Sequence, residues 1–224
     1  MGTAISEVLP FAVGVAISPV PIIAVILVLF SARARVNGLV FLVGWVLGVA
    51  VVSIAIYLIA AAGDVDTESG PSDTANWIKI VLGVFLVRLA VRDWRKQHAT
   101  SEPAPPKWMA SIDSLTPLKA GGLGLLLSGV NPKNLTLSLA AGAALAQAGV
   151  SGSEAAVGLA VFIVIASASI AVPVAFALAG GQRAKTVLDG WKAWLTTHDD
   201  AVMAVLFLVF GVVVFSQGLR GLTA

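Results

Sequence analysis

The stretch "LLLSGVNPKNLTLSLAAGAA", Leu125 to Ala144, sets an apolar run around Asn131, Pro132, Lys133 and Asn134. Proline lacks an N–H and clashes with the preceding turn, so it breaks or kinks a helix. A cation and two amides beside it are costly in hydrocarbon and ordinary at a water-filled site. The reading of this run therefore depends on whether the chain lies in a membrane.

The composition answers that. Of 224 residues, 58% are hydrophobic and 12% charged, and the mean hydropathy is +0.96, against roughly 45–50% apolar and 25% charged in soluble domains. The sequence describes an all-α, polytopic membrane protein. A formal net charge of +2 gives no footing for a nucleic-acid partner. The absence of cysteine excludes disulfides, thiol redox chemistry and thiolate metal sites. The N-terminal "MGTAISEVLPF" lacks a basic n-region and carries Glu7, which argues against a cleaved signal peptide.

Six apolar stretches occur, at about 8–30, 37–62, 75–92, 118–148, 153–180 and 201–219, each near the ~20 residues that span a bilayer. The third carries Lys79 and Arg88 near its ends, where both can snorkel to opposite surfaces. The loops set an orientation. Arg33 and Arg35 lie after the first stretch, and Arg92, Arg95, Lys96, Lys107 and Lys119 between the third and fourth. Arg183, Lys185 and Lys192 follow the fifth. Asp64, Asp66, Glu68 and Asp73 fill the second loop without a base, and 149–153 has no Lys or Arg. Basic loops stay on the cytoplasmic side, which predicts both termini outside a plasma (inner) membrane.

The two halves resemble one another. "VAISPVPIIAVILVLF" (15–30) aligns with "SGVNPKNLTLSLAAGA" (128–143), Pro19 over Pro132, and "GLVFLVGWVLGVA" (38–50) with "GLAVFIVIASASI" (158–170). Three spans per half make the second run opposite to the first, a 3+3 inverted repeat of the kind found in secondary transporters. Chance likeness between apolar segments is the alternative. The division is 1–95 for the first repeat, 96–117 for a Pro-rich, amphipathic cytoplasmic linker, and 118–224 for the second repeat. Trp108, Ile112 and Leu115 share one helical face in "KWMASIDSLTPLKA", as do Leu188, Trp191 and Leu195 in "VLDGWKAWLTTHDD". Such faces suit the headgroup layer, or belong to plain loops with interfacial tryptophans.

Each half interrupts its first helix, at Ser18-Pro19-Val20-Pro21 and at Asn131-Pro132-Lys133-Asn134. Ser18 and Asn131 are good N-cap types, and proline suits the first position of a new helix. Two discontinuous helices follow, whose second halves start near the midplane with free N–H groups and a positive dipole end. Lys133 adds a full charge about fifteen residues from either end of its span, deeper than its stem reaches at 1.5 Å per residue. A phosphate, sulfate or carboxylate is the natural guest; for Pro19 and Pro21, kinks without a ligand are the alternative.

Other chemistries find little support. No Asp or Glu lies well inside a stretch, and no G-x-x-x-x-G-K-[ST] motif occurs, so neither a buried carboxylate relay nor ATP hydrolysis is indicated. His98 and His198 lie in or beside loops without ligand spacing. No catalytic grouping, metal cluster or cofactor motif is visible, which points away from an enzyme. Gly44 and Gly48 in "GWVLG" form a small-xxx-small face, read here as internal helix packing.

"SPVP" in the first span, "WMASID" before the fourth, "NPKN" within it and "WL…H…MAVLFLVFG" entering the sixth resemble the actinobacterial GAP family. That family includes the glycopeptidolipid- and sulfolipid-addressing proteins of mycobacteria and is grouped with the lysine-exporter superfamily. The resemblance covers nearly the whole chain. It implies a small plasma-membrane protein that helps cell-envelope glycolipids leave the cytoplasmic side. Carried over by motif, Pro19, Pro21, Asn131, Pro132, Lys133 and Asn134 line the central site, with Ser18 beside them. SPVP stands where lysine exporters show a PGP-like motif, which makes an amino-acid substrate less secure.

The expectation is a translocator of a glycolipid or lipid-linked anion, with membrane lipids as partners. Two alternatives stand beside it: an exporter of a small metabolite such as an amino acid, and a non-transporting adaptor for lipid-synthesis or export machinery. Homo-oligomerisation is left open.

Overall fold

A computed structural model describes residues 1–62, 73–97 and 115–223. Among them there is no strand. The helices are α1 (Gly2–Ala16), α2 (Pro19–Val28), α3 (Ala34–Ala62), α4 (Asp73–Gln97), α5 (Pro117–Gly129), α6 (Pro132–Gln147) and α7 (Gly152–Thr223). The helix α7 is interrupted at Gly181, whose φ of 53° and ψ of −132° are not helical.

Three stretches are long and apolar enough to cross a membrane: Ala34–Ala62, Gly152–Gly181 and Asp200–Thr223. The pair α1 and α2, bent by 54°, makes a fourth as a broken span. The expected six are thus three to four by length and composition. The helices α5 and α6, of 13 and 16 residues, are each too short alone, and α4, carrying Lys79 and Arg88, also stands outside this set. Trp108, Ile112 and His98 lie outside the described residues, as do the acidic loop residues Asp64, Asp66 and Glu68.

The chain divides into two compact units, Met1–Val65 with Pro105–Leu195, and Asp66–Ala104 with Thr196–Ala224. In the first unit α3 is the central post, packed most extensively on α5 and then on α6. Small residues make this approach close. A Cβ at Gly44 would meet the Gly121 carbonyl oxygen, and one at Gly48 would meet Ser128 Oγ and the Leu125 carbonyl. Further along, Gly142 faces the Ser53 carbonyl and Ile56. The contacts advance together along both chains, so α3 runs parallel to α5 and then α6. Gly44 and Gly48 thereby serve internal packing, as read from the sequence.

The Gly152–Gly181 arm of α7 closes the other side. Trp45 Nε1 donates to the Ala166 carbonyl at 3.3 Å, Tyr57 Oη donates to the Val150 carbonyl at 3.0 Å, and Gly158 lies against Ala4 and Leu145. Trp45, Phe41, Phe162, Val49 and Ile170 are fully buried here. Burying such side chains is worth about 1.5–3 kcal/mol each where water is the alternative. Against lipid the gain is packing and dispersion instead. In the second unit Gly83 of α4 faces Phe215 and the Gly211 carbonyl, while Gly211 faces Val87 and the Gly83 carbonyl. Two glycines thus let α4 and the Asp200–Thr223 arm meet backbone to backbone.

Candidate functional site

Both predicted breaks are present. The helix α1 ends at Ala16 and α2 starts at Pro19; α5 ends at Gly129 and α6 starts at Pro132. Proline alone does not cause this, because Pro10 and Pro173 sit inside continuous helix. At the breaks the preceding residue leaves the helical region, with ψ of 114° at Ser18 and 121° at Asn131.

The packing brings the two breaks to one level. The helix α1 packs on α6, and α2 on α5. The N-terminal ammonium of Met1 pairs with Glu154, and Ala4 lies beside Gly158 and Leu145. The start of α1 therefore adjoins the end of α6, and the two run antiparallel. Asn37, in the first turn of α3, donates from Nδ2 both to Ser31 Oγ, just after α2, and to the Leu115 carbonyl, each at 2.9 Å, which places the end of α2 beside the start of α5. The remaining ends, Ala16 to Pro19 and Gly129 to Pro132, must then meet midway.

The caps differ. Asn131 Oδ1 accepts from the Lys133 N–H at 3.1 Å, as expected of an N-cap. Ser18 holds the N-cap position of α2, but its side chain makes no capping bond. The prolines also thin the donors that a half-helix offers. Pro19 and Pro21 carry no N–H, and the Ser18 N–H is taken by the Val15 carbonyl, leaving Val20 and Ile22 in the first turn of α2. At α6 the Asn131 N–H binds the Leu126 carbonyl and the Leu135 N–H binds the Asn131 carbonyl. With the Lys133 N–H capped, Asn134 alone keeps a backbone donor. The two ends thus offer one or two N–H groups each rather than a cluster, and the positive character of the junction rests on the helix dipoles and on Lys133.

Burial separates the site residues. Ser18, Pro19 and Pro21 are buried, Asn131 and Lys133 are half-buried, and Pro132 is exposed on the protein surface. Asn134 is fully buried; its Nδ2 donates to the Leu127 carbonyl at 2.9 Å across the break. Its Oδ1 has no hydrogen-bond partner among the described residues, nor has Ser138 Oγ one turn further along α6. Both are completely buried. Leaving such groups unsatisfied costs about 1–3 kcal/mol each, so water or a ligand hydroxyl is their natural complement. Sequence reasoning missed Ser138; its signal was position, four residues after Asn134 on the same helical face.

No group of three or more His, Asp or Glu able to hold a metal occurs among the described residues.

These features define an all-helical membrane protein built around two antiparallel broken helices. A family model described as Sap, sulfolipid-1-addressing protein, matches residues 8–220, and the chain belongs to that family. No curated protein and no solved structure matches it.

Proposed function

We propose that this protein helps export an anionic cell-envelope lipid, of the glycolipid or sulfolipid class that its family name suggests, across the plasma membrane. In this reading α4 and the α5–α6 pair also span, giving six spans in a 3+3 inverted repeat with both termini outside. The lysine-exporter resemblance supports the same plan. The alkyl chains stay in the bilayer while the headgroup passes the junction of the broken helices. Lys133 and the dipole ends of α2 and α6 attract its charge, and Asn134 Oδ1 and Ser138 Oγ receive its hydroxyls. No enzymatic step is assigned.

The observation that carries this reading is the antiparallel pairing of α1 with α6 and α2 with α5, which supports a common depth for Ser18 and Lys133. The order of elements supports it further: a broken helix followed by a long one occurs twice, α1–α2 then α3, and α5–α6 then the Gly152–Gly181 arm.

The test is surface-lipid content in cells carrying K133A or K133E at wild-type protein levels. Loss of surface lipid, stronger for the glutamate, is expected. Normal export by a well-expressed K133E protein would overturn the reading.

A further inference from the structure

The helix α7 folds back at Gly181. An unbroken helix would hold Phe176 and Trp191, about fifteen residues apart, about 22 Å from one another. Instead their rings stack with centroids 6.1 Å apart and planes inclined by 19°. The positive φ of 53° at Gly181 permits the reversal. The returning segment buries Ala184 and Leu188 and carries Lys192 to 5.4 Å from the centre of the Phe30 ring.

This reversal borders an open cavity of about 250 Å³ lined by Leu29, Arg35, Leu178, Ala184, Lys185 and Leu188, among others. The wall is apolar and holds two cations, one from the first turn of α3 and one from the turn after Gly181. Among the described residues neither Arg35 nor Lys185 forms an ion pair with a carboxylate; the nearby Asp189 pairs with Lys192 at 2.9 Å. All four basic residues at this end, Arg33, Arg35, Arg183 and Lys185, are exposed, but only Arg35 and Lys185 line the cavity. Trp191 and Trp194, 41% and 55% exposed, lie further along the same returning segment, as suits aromatic side chains at a headgroup layer.

The geometry points to a seat for the headgroup of an anionic membrane phospholipid, with the phosphate between Arg35 and Lys185 and the first acyl methylenes against Leu29, Leu178 and Leu188. The volume falls below the ~300 Å³ at which sites begin to enclose a drug-sized ligand, so it takes a headgroup and leaves the tails in the bilayer. A basic charge beside an anionic membrane surface gains about fivefold in affinity, which makes a two-cation seat selective for anionic over zwitterionic lipid. This seat is separate from the broken-helix junction and does not depend on the export reading.

Native mass spectrometry of the full-length protein in detergent, titrated with phosphatidylglycerol and phosphatidylcholine of equal chain length, tests the seat. The wild type is expected to prefer phosphatidylglycerol by about tenfold or more, with the preference falling as salt rises. R35Q/K185Q should abolish the preference while R33Q/R183Q, two charges removed outside the cavity, keeps most of it; circular dichroism checks that both variants remain helical. If R35Q/K185Q does not fold, K185Q alone should lower the preference about fivefold. Equal binding of the two lipids by the wild type, a preference that survives R35Q/K185Q or K185Q, or equal loss in both double variants would overturn the assignment. Glycerol phosphate displacing the lipid at equal concentration would also overturn it, by showing a site for soluble anions.

Discussion

Asn131 Oδ1 accepts a hydrogen bond from the backbone N–H of Lys133 at 3.1 Å. The residue before the proline thereby fixes the first turn of α6 and the point from which the lysine side chain departs. An N-cap of this kind is worth about 1 kcal/mol. N131A should lower the thermal stability of the purified protein by about that amount and reduce export more than N131S, whose hydroxyl can still cap. Thermal denaturation in detergent and surface-lipid measurement check the two halves of this prediction.

Ser138 buries a hydroxyl that no described residue bonds. For a purely structural residue, Ser138→Ala removes a destabilising group and leaves stability unchanged or raised by about 1 kcal/mol. The expected result is that unchanged or raised stability together with a several-fold fall in lipid export, because the hydroxyl belongs to the path. Equal export by wild type and S138A would remove Ser138 from it.

Gly48 meets the backbone of α5 with no room for a side chain. G48L must push α3 from α5, and overpacking of this kind costs about 1–3 kcal/mol or more. A lower melting temperature and reduced yield of folded protein are expected, with a milder effect for G122L, where a Cβ meets nothing within 4 Å.

Trp45 is fully buried and ties α3 to α7 through the Ala166 carbonyl. W45F keeps most of the packing and leaves that bond unmade. Stability should fall by about 1 kcal/mol, read by thermal denaturation, and W45A should cost several times more.

The breaks were legible in the sequence because each pairs a capping residue with a proline at the first helical position, and both fall within a residue of the expected place. The glycine seam of α3 was legible for a similar reason, since small residues four apart can only mark close approach or a gap. Three features were not. The donor-poor ends of α2 and α6 require knowing which N–H groups the preceding turn has already taken. The reversal at Gly181 depends on a positive φ that Gly149 and Gly152 also adopt, and no spacing distinguishes that glycine. The Arg35–Lys185 cavity joins residues far apart in sequence, which only the reversal brings together. Charge counting in the loops had placed both cations at one end, without bringing them to one cavity.

The central claim is a water-filled junction at the broken helices, and the cysteine-free chain allows a direct measurement of it. Single cysteines at the half-buried Lys133 and at the outward-facing Leu139 on the same helix are exposed to a membrane-impermeant, charged thiol reagent in sealed vesicles. The account predicts that K133C reacts and that L139C stays unmodified until detergent is added. Silence at K133C, with labelling only after solubilisation, would contradict it.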